Sequence, residues 1–172
     1  MRLSGVQDDT TALARVGWAV RRLTGGPGPE VDLSAFLDRR DPESPGEGAE
    51  TFADRAGGWL GLMAQATDLH PITRACMGFH LWSLAGLGQQ GERMEAAVTA
   101  ARIVASEGRG AVFAPLAMGG AVGLRAGGPP ADRLARWLDG VETASQTAMR
   151  HLDDIEAWSV RTDAAMTKLS GK

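Results

Sequence analysis

Apolar residues recur along this chain at spacings of three and four, in blocks separated by glycine- and proline-rich breaks. That is the period of helices with one buried face. The first block predicts a helix from Asp9 or Thr10 to Leu23, with Leu13, Val16, Val20 and Leu23 on one stripe and Trp18 off it, marking a second contact surface. Gly25-Gly26-Pro27-Gly28-Pro29 stops that helix. A short helix over 33–39 carries Leu33, Phe36 and Leu37 inward. Residues 41–50 follow, built around Asp41-Pro42-Glu43-Ser44-Pro45-Gly46-Glu47-Gly48, an acidic run without apolar side chains that reads as an exposed loop.

Thr51 with Asp54 three residues on is an acidic form of the capping box. The helix it opens places Phe52, Ala56, Trp59, Met63 and Ala66 on its apolar face. Gly57-Gly58 within it costs about 1 kcal/mol per residue relative to Ala, an expense that implies close helix approach or a bend. A separate helix is predicted over 68–86, with Pro71 at its first position. Its apolar residues Ile72, Ala75, Cys76, Phe79, Trp82 and Leu84 cover so much of the circumference that it belongs at the centre of a bundle. A fifth helix runs from Gly91 to Ser106, its alanines permitting tight packing. Glu107-Gly108-Arg109-Gly110 is a turn, and residues 111–124 are expected as a buried helix with Pro115 in its first turn. After a loop at 125–129, a last amphipathic helix runs from about Pro130 to about Leu169. Leu134, Trp137, Leu138, Val141, Ala144, Ala148, Leu152, Ile155, Trp158, Ala165 and Leu169 follow its period. Unbroken, it spans about 60 Å, more than the diameter of a globule of this size. It therefore either breaks near Gly140 or Ser159 or projects towards another domain or a second subunit. The expectation is an all-α, single-domain bundle of six to seven helices.

Composition narrows the setting. With 172 residues, 44% hydrophobic and 23% charged, the chain can build a core. Its net charge of -3 marks no overall nucleic-acid footprint. The lone cysteine, Cys76, lies in an apolar run, which fits a buried thiol in a reducing, cytoplasmic setting. Neither a signal peptide nor a membrane-length apolar stretch is legible.

Candidate chemistry is sparse. His70 and His80 are ten residues apart, off the i, i+4 spacing of a two-histidine metal site. His151 beside Asp153, Asp154 and Glu156 reads as a solvated helix face, and without a Glu-x-x-His pattern a di-iron bundle is not expected. Gly108-Arg109-Gly110 is too short for a phosphate loop, no Gly-x-Ser-x-Gly elbow is present, and there is no tyrosine. Arg21-Arg22 and Arg39-Arg40 lack interleaved aromatics and read as solvated surface. No catalytic, cofactor-binding or metal-ligating residue is assigned, and no cofactor is expected. The residues with most potential for a ligand site between helices are His70, Arg74, His80, Glu92 and Arg93.

Two stretches carry a resemblance. Leu69-His70-Pro71-Ile72-Thr73-Arg74-Ala75-Cys76-Met77-Gly78-Phe79-His80-Leu81-Trp82 is one. The other runs from Glu95-Ala96-Ala97-Val98 through Ala100-Ala101-Arg102 to Ala114-Pro115-Leu116-Ala117-Met118-Gly119-Gly120. With Arg133-Leu134-Ala135-Arg136-Trp137-Leu138, they resemble an uncharacterised bacterial family in which a helical domain of unknown function precedes a C-terminal winged helix-turn-helix. The resemblance implies a regulatory or interaction role of transcription-regulator type, without the DNA-binding module. A remoter similarity is to the Fic fold, whose catalytic loop reads His-Pro-Phe-x-Asp/Glu-Gly-Asn-Gly-Arg. The corresponding stretch is 85–93, where Ala85 stands at the histidine position and the Gly-Asn-Gly core is mostly missing, so nucleotide transfer by that mechanism is not implied.

Three readings follow. The leading one is a non-enzymatic helical regulatory or interaction domain that forms a homodimer, or joins a DNA-binding domain, through the last helix. The second is a degenerate Fic-like enzyme or small-ligand binder near His70, His80 and Arg93. The third, direct nucleic-acid binding through Arg15, Arg21, Arg22 and Arg39, is disfavoured by the charge balance.

Overall fold

The computed structural model describes residues 5–39, 50–88, 92–106 and 112–170, with backbone alone for 5–9 and 92. Among the described residues there are six α-helices, one 3-10 turn and no strand, so the chain is all-α. It divides into two compact units, Met1–Ala114 and Pro115–Lys172. The first holds α1 (Gly5–Thr24), α2 (Leu33–Leu37), α3 (Phe52–Gln65), α4 (Pro71–Leu84) and α5 (Glu92–Ala105). The second holds the 3-10 turn (Leu116–Gly119) and α6 (Pro130–Ser170).

The first unit is organised around α4, which packs along α5 and also against α3. The α3 start is as read from its sequence. The Thr51 hydroxyl accepts from the Asp54 backbone N–H at 3.1 Å, and the Asp54 carboxylate accepts from the Thr51 N–H at 3.0 Å. Phe52, Ala56, Trp59, Met63 and Ala66 are all buried. Trp59 meets Trp82 edge-to-face at 5.5 Å between ring centroids and donates its indole N–H to the Gly78 carbonyl. The close approach expected of Gly57-Gly58 falls at Gly78 instead. A Cβ there would lie 3.2 Å from both Met63 and Trp59, whereas Gly57 and Gly58 face open space. The α4 helix begins at Pro71, the first position read for it, within the span 68–86, and His70 is its N-cap. Leu84 is exposed, because α4 ends there and Gly86, at φ +62°, turns the chain away.

The α1 helix starts earlier than its apolar stripe implied, and the stripe is not its packing face. Leu13 is 71% exposed, and Val16 and Val20 are also exposed. The side that engages α2 is that of Trp18, whose ring meets Phe36 edge-to-face at 5.9 Å and whose N–H donates to the Phe36 carbonyl. An aromatic with a polar handle anchors better than three small aliphatics on a helix with several polar neighbours. Leu33, Phe36 and Leu37 of α2 are buried as expected; the helix ends at Leu37, where Asp38 takes φ 55°. Of the 41–50 loop only Glu50 lies among the described residues, and it is exposed; the turn at 107–110 lies outside them.

In the second unit, the helix expected over 111–124 is absent from the residues described there, 112–124, which hold only the 3-10 turn. Three glycines lower helix propensity in this stretch, Pro115 donates no N–H, and Gly120 sits at φ +75°. The glycines serve contact instead. A Cβ on Gly119 would fall far inside contact distance of the Gly140 carbonyl oxygen of α6, and one on Gly123 would lie 3.1 Å from the Gly140 Cα. Gly140 is thus a crossing point of two backbones, and α6 continues unbroken through it and through Ser159 for 41 residues, about 60 Å.

Candidate interaction surface

Among the described residues, His70, Arg74, His80 and Arg93, four of the five singled out for a ligand site, line none of three cavities there. His70 caps α4, its Nδ1 accepting from the Ile72 N–H at 3.3 Å. Arg74 is ion-paired to Glu30, on the segment between α1 and α2. His80 is half-buried and stands edge-to-face to Phe79 at 5.2 Å. Glu92 opens α5, its side chain outside the described residues, and Arg93 follows on an exposed position. The link between α4 and α5 is short, which makes them antiparallel neighbours. His70 and Arg93 therefore stand at opposite ends of that helix pair.

Two concavities of the first unit are lined by other residues. An open groove of about 370 Å³ lies between α3 and α4, lined by Arg55, Trp59, Leu62, Leu81 and Leu84 among others. Arg55 is already committed there, its guanidinium donating to the carbonyls of Gly86 and Glu50. A second hollow of about 350 Å³ is bounded by Glu30, Val31, Arg102 and Ile103. Among the described residues no group of three or more His, Cys, Asp or Glu side chains is placed to hold a metal ion. Two of the arginines considered for nucleic acid are used internally. Arg22 pairs with Asp38. Arg39 pairs with Glu95 of α5 at 2.6 Å, donates to the Leu87 carbonyl, and lies 5.3 Å above the Phe52 ring. Arg39 is therefore a tie between α2, α3, α5 and the α4–α5 link, a role its position in a basic pair did not announce.

What remains open is the second half of α6. From residue 149 to residue 170 every position except Thr162 is exposed. The exposed residues include large apolar ones: Leu152 at 64%, Ile155 at 59%, Trp158 at 61%, Met166 at 58% and Leu169 at 72%. The first half differs, with Trp137 and Ala144 buried on the side of Gly140.

The open half has a stricter order than a general helical period. Leu134, Leu138, Val141, Ser145, Ala148, Leu152, Ile155, Ser159, Thr162, Met166 and Leu169 follow one another at alternating steps of four and three. That is the spacing of the a/d positions, the seam, of coiled-coil helices. Ser145, Ser159 and Thr162 are its polar members. The positions flanking the seam on one side include Glu142, Glu156 and Asp163; those on the other are Trp137, Ala144, His151, Trp158 and Ala165. The seam is readable in the sequence by sorting the apolar residues of the last helix by seven rather than by 3.6. That they lie exposed is not.

No family model matches the chain, nor does any curated protein or solved structure. No helix among the described residues is long and apolar enough to cross a membrane.

Proposed function

We propose that this chain is a non-enzymatic interaction module, in which α6 is the element that binds a partner and the first unit is a folded carrier. The observation that carries the reading is the row of large apolar side chains left in water along α6. Folded monomers seldom expose contiguous apolar surface of this kind, and where they do it marks an association site. The helix itself adds to this: helices in proteins draw most of their stability from burying an apolar face, and a free helix end frays. The regulatory part of the proposal, a helical domain serving a transcription-regulator-like protein, is supported by the resemblance carried by residues 69–82, 95–120 and 133–138.

Amide hydrogen exchange tests the association reading. Measured on the purified chain at high concentration and in extract of the cells that produce it, residues 149–170 are expected to exchange at least about tenfold more slowly in one of the two settings than in the purified chain at high dilution. Fast exchange in both settings overturns the reading.

A further inference from the structure

We infer that the partner of α6 is a second copy of this chain, joined in a parallel two-stranded coiled coil over the seam from Ser145 to Leu169. The inference rests on the association reading above and adds the occupant and its direction.

The four–three spacing calls for a helix as partner, since only a helix presents holes at the same repeat. Self-pairing is favoured by how charge is distributed. One flank of the seam is acidic, with Glu156 and Asp163; the other holds His151, Trp158 and Ala165 and no carboxylate. In a parallel pair the unlike flanks meet, so His151 of one copy approaches Glu156 of the other, and Trp158 approaches Asp163. In an antiparallel pair like flanks meet, and the carboxylates of both copies form one row of repelling charges. The seam's composition agrees: polar Ser159 and Thr162 among apolar positions tie the register down, because sliding by one heptad sets a hydroxyl against Met166 or Leu152. The paired seam runs roughly three heptads, about 35 Å of helix.

Light scattering after size exclusion, on the full chain at rising concentration, is expected to move from 18.1 kDa to twice that mass. Leu152→Glu with Ile155→Glu is expected to raise the dissociation constant at least about a hundredfold, with helical circular dichroism of the first unit unchanged because both side chains are exposed. Direction is read by thiols. Cys76 is buried and out of reach, so Ser145→Cys and Thr162→Cys, made separately, each place one accessible sulfur on the seam. In a parallel pair every seam residue faces itself within disulfide reach, and both variants give covalent dimers under mild oxidation. A dimer in which only one of them, or neither, cross-links overturns the parallel pairing. A chain that stays at 18.1 kDa throughout overturns the second copy as partner. In that case slow exchange of residues 149–170 in cell extract leaves the association reading standing, and fast exchange removes both.

Discussion

The α3 helix and the second half of α6 carry the same kind of apolar stripe and meet opposite fates. In α3, Phe52, Trp59 and Met63 are buried against α2 and α4. In α6, Leu152, Ile155 and Trp158 stand in water. A periodic stripe therefore states that a face is apolar and says nothing of what covers it. Two local features separate the helices. The α3 stripe comes with a capping box at its start and a glycine opposite, Gly78, that admits its large side chains. The α6 stripe comes with a seven-residue order and one acidic flank, the pattern of coiled-coil helices.

Truncating one tryptophan in each stripe separates the two helices most strongly. Trp59→Ala removes a fully buried ring, its contact with Trp82 and its hydrogen bond to Gly78, and is expected to cost about 3–5 kcal/mol in chemical denaturation. Trp158→Ala is expected to leave the denaturation midpoint of the dilute chain within about 0.5 kcal/mol of its original stability, while weakening association. Equal losses at the two sites would mean that the α6 ring is packed as the α3 ring is.

Much of the bundle was legible because its signals are local. Thr51 and Asp54, Pro71 at the head of α4, and the Gly25–Pro29 stop each act within a turn or two of chain. Failures arose where a distant partner decided the outcome. The Leu13–Val16–Val20 stripe looked like a core face, yet Trp18 became the anchor because Phe36 and its carbonyl lay within reach. Residues 111–124 looked helical by apolar content, yet Gly119 and Gly123 were needed for backbone contact with Gly140. In the candidate site, His70, Arg74 and His80 were chosen by type, and their neighbours include the Ile72 amide, Glu30 and Phe79, which residue type alone does not announce.

Arg39 ties the first unit together without being part of any stripe. Arg39→Ala removes the Glu95 pair, the Leu87 carbonyl bond and the cover over Phe52. The pair is mostly buried but still reaches solvent, so a loss of about 2–3 kcal/mol is expected, below that of a fully enclosed pair. A double-mutant cycle with Glu95→Gln should return a coupling of about 1 kcal/mol or more; a coupling near zero would assign the effect to the Leu87 carbonyl bond and the packing on Phe52.

Within α6 the contrast lies between its two ends, and Gly140 sets the packed one. Alanine is the better helix former by about 1 kcal/mol, so a free helix would gain from Gly140→Ala. Here a Cβ at Gly140 meets the Gly123 Cα at 3.0 Å, and a Cβ at Gly119 meets the Gly140 carbonyl oxygen far inside contact distance. Gly119→Ala is therefore expected to cost about 1–3 kcal/mol, with Gly140→Ala smaller because the propensity gain offsets part of the clash. Release of residues 115–124 should show as faster amide exchange there, with residues 149–170 unaffected.

The smallest expected effect concerns the cap that α3 has. The Thr51 hydroxyl and the Thr51 backbone N–H, both bonded to the Asp54 carboxylate, hold its carboxyl below the ordinary carboxylate value. A lowered value in the folded state means that the ionised form is favoured by folding. This contribution is complete above the unfolded carboxylate value, near 4, and is lost as pH falls through the lower folded one. Asp54→Asn keeps the shape and a neutral acceptor and removes the charge. Its melting temperature should sit below that of the unmodified chain at neutral pH, with the gap closing in acid. Thr51→Ala, which removes the hydroxyl on which the Asp54 backbone N–H depends, should cost about 1 kcal/mol at neutral pH. If Asp54→Asn instead keeps a constant gap down to acid pH, the carboxylate's charge is not what the cap uses, and the capping difference between α3 and the open half of α6 reduces to a single hydroxyl.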